Sequence, residues 1–132
     1  MTLSIAEKKQ IWSQYTPAPT QSIPTQVDQP SLLIKRLDLV DSWASGNKYF
    51  KLKYVLLEAM EKGTENIISK GGMFSNHLAA LSSACQAFDI RLTCVVRSYQ
   101  PDEENPCIQQ LRAHGDEIVY ASPDEYNAFE QT

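Results

Sequence analysis

The chain has 132 residues, of which 42% are hydrophobic and 21% are charged, and this composition suits one globular core but hardly two. Its formal net charge is -4, with basic residues scattered among acidic ones, so we expect no nucleic acid as a partner. No apolar run approaches the roughly 20 residues that a bilayer requires, and the start of the chain lacks the apolar centre of a signal peptide. These features predict a cytoplasmic protein that does not contact a membrane.

The cysteines and histidines indicate neither a disulfide nor a metal site. The three cysteines, Cys85, Cys94 and Cys107, form no CxxC pair, and an odd number cannot all pair within one chain. We expect Cys85 and Cys94 to be small buried hydrophobes. Because only His77 and His114 could complete a set of three or four ligands, the sequence predicts no metal centre.

The amino-terminal part is rich in proline. Four of the seven prolines lie within the first thirty residues, and the stretch PAPTQSIPTQVDQP disfavours both a helix and a central strand, so we expect an extended arm. Ahead of this arm, IAEKKQIWSQY predicts a short helix. The apolar face of that helix would consist of Ile5, Ile11, Trp12 and Tyr15.

A regular alternation begins at residue 31. The run LLIKRLDLV predicts a strand, and a polar turn, DSWASGNK, leads from it into the predicted helix YFKLKYVLLEAMEKG. Gly63 would cap the end of that helix. Its apolar face is expected from the helical spacing of Leu52, Val55, Leu56, Ala59 and Met60.

The same alternation continues to the end of the chain. It predicts the strand NIISK, the loop GGMFSN, the helix HLAALSSACQAFD, the strand RLTCVVR, the helix CIQQLRAHG and the strand DEIVYAS. This order is typical of an α/β fold, a parallel sheet with flanking helices. Right-handed crossovers would bring the loops SGNK and GGMFSNH to the carboxyl edge of the sheet, where ligands bind. A last helix begins in PDEYNAFEQT, so we expect a chain truncated at its carboxyl terminus.

Lys48 is a candidate nucleophile. It lies where a flexible turn, with Gly46 and Asn47, meets the start of a helix. Burial and nearby positive charge would lower the pKa of such a lysine and leave the free amine that attacks an aldehyde. The alternative interpretation is a solvated lysine at a helix terminus.

The loop GGMFSNH is a candidate anion site. Its glycines let the backbone approach a ligand closely, and the amides that begin the next helix favour a carboxylate or a phosphate. Ser75 offers a hydroxyl, Asn76 a donor and an acceptor, and His77 a ring that titrates near neutral pH. Ordinary helix capping by Ser75 or Asn76 is the alternative.

Together the two loops resemble the family of 1-aminocyclopropane-1-carboxylate deaminases and D-cysteine desulfhydrases. The segment SGNKYFKLKY is similar to the family pattern GGNK-x-x-KL-[EK]-[YF], and GGMFSNH is similar to GG-x-x-SN-[HQ]. The resemblance covers roughly residues 20 to 130. It implies a two-lobed pyridoxal 5'-phosphate enzyme of the tryptophan-synthase-β-like class. Residues 1–58 would form an arm and the first part of the large cofactor lobe, and residues 59–132 an incomplete small α/β lobe.

The resemblance also implies roles for the candidate residues. Lys48 would hold the cofactor covalently and act in catalysis, while Asn76 would bind the cofactor at its ring and phenolic oxygen. Ser75 would contact the substrate carboxylate or act as a nucleophile, and Asn76 and His77 would complete the substrate side. The reaction would convert a small amino acid to a 2-oxo acid and ammonia, with sulfide also released from D-cysteine.

The sequence departs from the family pattern beside both motifs. Ser45 replaces the first glycine of GGNK, and Phe50 stands where the family commonly has an arginine. Met73 and Phe74 replace a glutamine or tyrosine that is paired with a small residue. Both 1-aminocyclopropane-1-carboxylate and D-cysteine therefore stay open as substrates.

Two other functions stay open. In the family a later glycine-rich loop holds the cofactor phosphate, so we expect residues 1–132 alone to catalyse little, and a non-catalytic α/β anion-binding module is the alternative. A hydrolase that uses Ser75 and His77 ranks third, because adjacent residues at a helix start point in different directions. The family habit implies a homodimer for the full-length protein.

Overall fold

The computed structural model describes residues 4–13, 17–26, 28, 30–40, 44 and 46–129, with the side chains of residues 11–13 left out of that description. The elements in chain order are helix α1 Ile5–Ser13, strands β1 Thr20–Ile23 and β2 Leu32–Lys35, a 3-10 turn Leu37–Leu39, helix α2 Asn47–Glu61, strand β3 Asn66–Gly72, helix α3 Asn76–Phe88, strand β4 Arg91–Arg97, helix α4 Pro106–His114, strand β5 Glu117–Ala121 and helix α5 Pro123–Ala128. Within these described ranges, no helix is long and apolar enough to span a bilayer.

The predicted parallel sheet is present and consists of β3, β4 and β5 in that order. Both pairings are parallel, and Cys94 of β4 lies between Ser69 of β3 and Ile118 of β5. Alternate residues of each strand therefore face the same side, where α2, α3 and α4 close the core. The largest fully buried side chains of that core are Phe88, Leu56, Leu78, Ile108, Leu111 and Val96.

Helix α3 is the centre of this core. Its buried residues Leu78, Leu81, Cys85 and Phe88 recur at intervals of three and four, so one face of the helix packs on the sheet. Each fully buried leucine stabilises the fold by about 1.5–3 kcal/mol. The helix ends at Asp89, whose φ of 56° lies in the left-handed region that terminates helices. The position of α3 therefore fixes what its first residues can reach.

The first predicted strand does not join the parallel sheet, and this is a correction. Only four residues of LLIKRLDLV form β2, and β2 pairs in an antiparallel manner with β1, which lies within the predicted extended arm. In a two-stranded ribbon each strand has a neighbour on one side only. The prolines next to these strands, which lack a backbone N–H, therefore do not break any hydrogen bonds between central strands. The β2 residues Leu32, Leu33 and Ile34 are exposed.

The helix predicted near the amino terminus is confirmed as α1, but its predicted apolar face is only partly testable. Ile5 is 46% exposed, whereas Lys8 is buried and donates a hydrogen bond from Nζ to the carbonyl oxygen of Phe88. The side chains of Ile11 and Trp12, and all of Tyr15, lie outside the described residues. A polar contact thus joins α1 to the end of α3.

Helix α2 follows its predicted span closely. Leu52, Leu56 and Met60 are buried as expected, but Val55 is 57% exposed, so the buried stripe is narrower than predicted. Gly63 follows the helix with a φ of 66°, which confirms it as the terminating glycine. The predicted lobe boundary between residues 58 and 59 lies inside α2, and the division into two lobes stays a prediction.

The two buried cysteines behave as small hydrophobes. Cys85 in α3 and Cys94 in β4 are fully buried, and burial raises the pKa of each thiol to about 12. Both thiols therefore stay protonated and unreactive at neutral pH. The prediction made for them from the sequence is confirmed.

Helix α5 confirms the helix predicted after the last strand. Lys70 of β3 donates hydrogen bonds from Nζ to the carbonyl oxygens of Tyr126 and Phe129, each at 3.2 Å. Its ammonium group also lies 4.8 Å from the centre of the Tyr126 ring. Because Lys70 alternates with Ser69 along β3, α5 lies on the face of the sheet opposite to α3.

Candidate functional site

The candidate site is built around the turn from β3 into α3. Ser75 precedes the helix in an extended conformation, with φ −75° and ψ 105°, and its Oγ accepts a hydrogen bond from the Leu78 N–H at 3.2 Å. Ser75 is therefore the N-cap of α3, as the capping alternative predicted. The proton of the hydroxyl group remains available for donation to a ligand.

The two glycines before this turn have different functions, and both belong to β3 rather than to the predicted loop. A Cβ added to Gly71 would lie 2.6 Å from the Ser75 Oγ and 2.9 Å from the Leu78 Cγ. Gly71 is thus required for the close approach of β3 to α3. A Cβ added to Gly72 would meet nothing within 4 Å, so the open space lies beside Gly72.

His77 is held by a buried serine. Its Nε2 lies 3.0 Å from the Oγ of Ser69, which occupies an inward-facing position of β3. Burial lowers the pKa of His77, and the positive charges of Lys48 and then Lys51 lower it further. The ring is therefore neutral at neutral pH.

The two predicted motifs lie at the starts of two helices that contact each other, α2 and α3. Lys48 is the second residue of α2, and its side chain is half-buried. Its charge acts on the ring of His77, which belongs to the other motif. Gly46 initiates α2 with a φ of 68°, a conformation that favours glycine. Lys53, on the same helix, lies instead 6.0 Å from the centre of the Tyr49 ring.

Asn76 is the most open of the predicted site residues. It is the first residue of α3, it is exposed, and within the described part of the chain its side chain makes no hydrogen bond. The backbone N–H groups in the first turn of a helix also lack helical acceptors. An open cleft of about 350 Å³ adjoins this position and is lined by Phe74, Ser75, Asn76, Ala79, Pro106, Cys107 and Gln110.

These groups fit the ring end of an aldehyde cofactor such as pyridoxal phosphate. Lys48 supplies an amine, and Asn76 supplies an unpaired amide with both a donor and an acceptor. The start of α3, next to the open space at Gly72, can receive an anionic group. The described residues can therefore hold the cofactor through its aldehyde and a ring substituent.

The geometry argues against the hydrolase alternative. A serine nucleophile needs a histidine within hydrogen-bond reach of its hydroxyl. The Ser75 Oγ accepts from the backbone of Leu78, whereas His77 pairs with Ser69. Ser75 and His77 are thus adjacent in the chain but are engaged by different partners.

Two polar residues of the fold were not predicted from the sequence. Ser69 is one, and its alternation with the inward-facing Ile67 and Gly71 was the available signal. The other is Ser82, a fully buried residue of α3 whose Oγ lies 2.7 Å from the His114 Nδ1 and donates to the Asp116 carboxylate.

The Ser82 cluster does not have the geometry of a catalytic triad. Its hydroxyl stands between the imidazole of His114 and the carboxylate of Asp116, whereas in a triad the imidazole occupies the middle position. Burial raises the pKa of Asp116, while the hydrogen bond from Ser82 opposes that effect.

Across the described ranges, no three His, Cys, Asp or Glu side chains are grouped as metal ligands would be.

Two known proteins of similar sequence have names from this family. The chain is 31% identical over 101 residues to a putative 1-aminocyclopropane-1-carboxylate deaminase of Thermotoga maritima, which covers 76% of this chain and 32% of the relative. It is 28% identical over 118 residues to the mitochondrial bifunctional D-cysteine desulfhydrase/1-aminocyclopropane-1-carboxylate deaminase of Arabidopsis thaliana, covering 86% of this chain and 29% of that protein. The chain thus spans about a third of the length of these curated relatives. No protein-family model matches it.

Solved structures share the fold. A 1-aminocyclopropane-1-carboxylate deaminase homologue superposes with a TM-score of 0.70 at 24% identity, covering 96% of this chain and 41% of that structure. A hydrogen sulfide-producing enzyme from Fusobacterium nucleatum superposes with a TM-score of 0.61 at 18% identity, covering 93% of this chain and 38% of that structure. The parallel sheet with its flanking helices therefore corresponds to part of a larger fold.

Proposed function

Because this chain belongs to the family of 1-aminocyclopropane-1-carboxylate deaminases and D-cysteine desulfhydrases, we propose that it is part of a pyridoxal-phosphate-dependent enzyme. The reaction is the conversion of a small amino acid to a 2-oxo acid and ammonia, and sulfide is also released when the substrate is D-cysteine. The observation that carries the proposal is that the two motifs lie at the starts of α2 and α3, which contact each other, with the charge of Lys48 acting on His77.

Lys48 is the catalytic residue of the proposal. When bound, pyridoxal phosphate supplies an electron sink for the bonding electrons of the substrate. The Nζ of Lys48 would hold the cofactor at its aldehyde group. The same amine, when free, would take a proton from a substrate carbon or return one to it. The half-buried position of Lys48 at the start of α2 restricts where this amine can reach.

The start of α3 orients the substrate in this proposal. Ser75 donates its hydroxyl proton to the substrate carboxylate, while its oxygen continues to cap the helix. Asn76 contacts the cofactor ring or the substrate with its unpaired amide. His77 adds a neutral ring to the substrate side, since its pKa is lowered by burial and by the two lysines.

The proposal is tested by trapping the cofactor on the protein. The purified full-length protein is mixed with pyridoxal phosphate, its absorbance spectrum is recorded, and borohydride reduction is followed by peptide mapping. We expect the reduced adduct on Lys48 and its loss in Lys48→Ala. Lys53→Ala is the matched control, because Lys53 is on the same helix but lies near the Tyr49 ring.

Either of two results would overturn this assignment. An adduct on a different lysine removes the role of Lys48, and the absence of any adduct favours the non-catalytic anion-binding module. If the adduct forms on Lys48, ammonia release from 1-aminocyclopropane-1-carboxylate and sulfide release from D-cysteine decide the substrate. We further propose that residues 1–132 alone show little turnover. The homodimer and the cytoplasmic location stay predictions.

A further inference from the structure

The hydroxyl group of Ser69 has one partner among the described residues. Ser69 is buried in β3, and its Oγ lies 3.0 Å from the Nε2 of His77. No other hydrogen bond of this hydroxyl occurs in the described ranges. The contact joins β3, which carries Gly71 and Gly72, to the first turn of α3. It therefore fixes one ring nitrogen of a residue in the proposed substrate site.

The direction of this hydrogen bond follows from the need to place both protons. If the ring donated its Nε2–H to Ser69, the hydroxyl proton would be buried without an acceptor, and buried donors are rarely left unpaired. If Ser69 donates to Nε2 instead, both groups are satisfied. The second arrangement requires a neutral ring that carries its proton on Nδ1.

We propose that Ser69 is a positioning residue that holds His77 in the neutral form with the proton on Nδ1. His77 then acts as a hydrogen-bond donor through Nδ1–H and not as a base, because Nε2 is occupied by the Ser69 proton. Lys48, whose charge acts on this ring, is left as the group that moves protons. This division of roles rests on the proposed function, since it takes His77 to be on the substrate side.

The tautomer can be measured directly by NMR. The chain has two histidines, so a protein labelled with 15N in the histidine rings gives two sets of signals, and His114→Gln assigns them. We expect Nε2 of His77 to have the shift of an unprotonated ring nitrogen and Nδ1 that of a protonated one. A protonated Nε2 in the unmodified protein would overturn the proposal without any variant of Ser69.

Variants of Ser69 then test the cause. Ser69→Ala should move His77 toward the Nε2–H tautomer that free imidazole side chains prefer, and Ser69→Thr should retain the Nδ1–H tautomer. Ser83→Ala is the matched control, because Ser83 bonds to the Ala79 carbonyl oxygen and to Gln110 but not to His77. An unchanged tautomer in Ser69→Ala would refute the proposal.

The activity of the full-length enzyme gives a second readout. Ser69→Ala should raise KM about tenfold with a smaller change in kcat, because a misoriented His77 weakens substrate binding. The result is distinguishable from failure of the proposed function. If the Nδ1–H tautomer is found but no adduct forms on Lys48, the function is wrong and the tautomer assignment stands. If the adduct forms but His77 carries its proton on Nε2, only the role of Ser69 is wrong.

Discussion

Two serine–histidine pairs lie along helix α3, and they differ in their surroundings. At the start of the helix, His77 pairs with Ser69 beside the lysines of α2. Further along, Ser82 pairs with His114 and also donates to Asp116. The first pair adjoins an exposed helix start, whereas the second hydroxyl is fully buried. The same two residue types thus occur in an open setting and in a closed one.

The charged neighbours separate the functions of the two pairs. Burial, and then the charges of Lys48 and Lys51, lower the pKa of His77 and favour a neutral ring that can bind a ligand. The neighbour of the second pair is a carboxylate, which accepts the only proton of the hydroxyl and leaves its oxygen to accept from His114. The first pair is therefore suited to a binding site, and the second to joining α3, α4 and β5.

The largest expected effect is that of removing the closed hydroxyl. Ser82→Ala leaves a half-buried carboxylate and an imidazole N–H without their partner, so we expect it to lower the free energy of unfolding by about 3 kcal/mol. Ser69→Ala removes the hydrogen-bond partner of the half-buried His77 ring and should lower the free energy of unfolding by about 1 kcal/mol. Urea unfolding of both variants measures the difference. Equal costs would show that the two pairs are not distinct in stability.

The approach of β3 to α3 gives the next largest effect. Gly71→Ala places a Cβ 2.8 Å from the Ser75 Cβ, and we expect such overpacking to cost about 2 kcal/mol of unfolding free energy. Gly72→Ala is the control, because nothing lies within 4 Å of the added Cβ. Thermal or urea unfolding compares the two variants. If they are equally destabilised, the open start of α3 is not set by the first glycine.

The pH dependence of stability should report the lowered pKa of His77. The pKa of His77 is lowered in the folded protein, so below pH 6.5 the unfolded chain binds a proton that the folded protein resists. The stabilisation present above pH 6.5 is therefore lost as the pH falls toward the folded-state pKa. His77→Gln should reduce this loss in urea unfolding between pH 7 and pH 5. An unaltered pH profile would contradict the lowered pKa.

The sequence predicted the part of the fold in which local and tertiary signals agree. Strand β4 has its predicted bounds, and α3 begins and ends within a residue of its prediction, because a serine cap, a helical apolar period and a turn at Asp89 point to the same limits. The carboxyl-terminal alternation from β3 to α5 was recovered for the same reason. Its parallel order follows from helices that separate the strands.

The predictions were wrong or absent where the structure depends on contacts between distant residues, which the hydrophobic pattern of the sequence does not contain. The run LLIKRLDLV is apolar enough for a buried strand, yet it pairs with a proline-flanked segment whose own strand propensity is weak. Val55 has helical spacing but lies beyond the narrow stripe that contacts the core. The contacts of Ser69 and Ser82 depend on residues 8 and 32 or more positions away, which periodicity cannot place.

The smallest expected effect is that of the Lys48 charge on the pKa of His77. Burial is the largest cause of the lowered pKa of His77, and the charge of Lys48 comes second. Lys48→Ala should therefore raise the pKa of His77 part of the way toward 6.5, as followed by NMR titration of its ring. Lys53→Ala should leave it unchanged, and added salt should reduce the effect of Lys48 only in part, because half-buried charges are screened less than exposed ones. If Lys48→Ala and Lys53→Ala change the pKa of His77 equally, the charge of Lys48 has no specific effect on this ring. The difference between the Ser69–His77 pair and the Ser82–His114 pair would then come from burial alone.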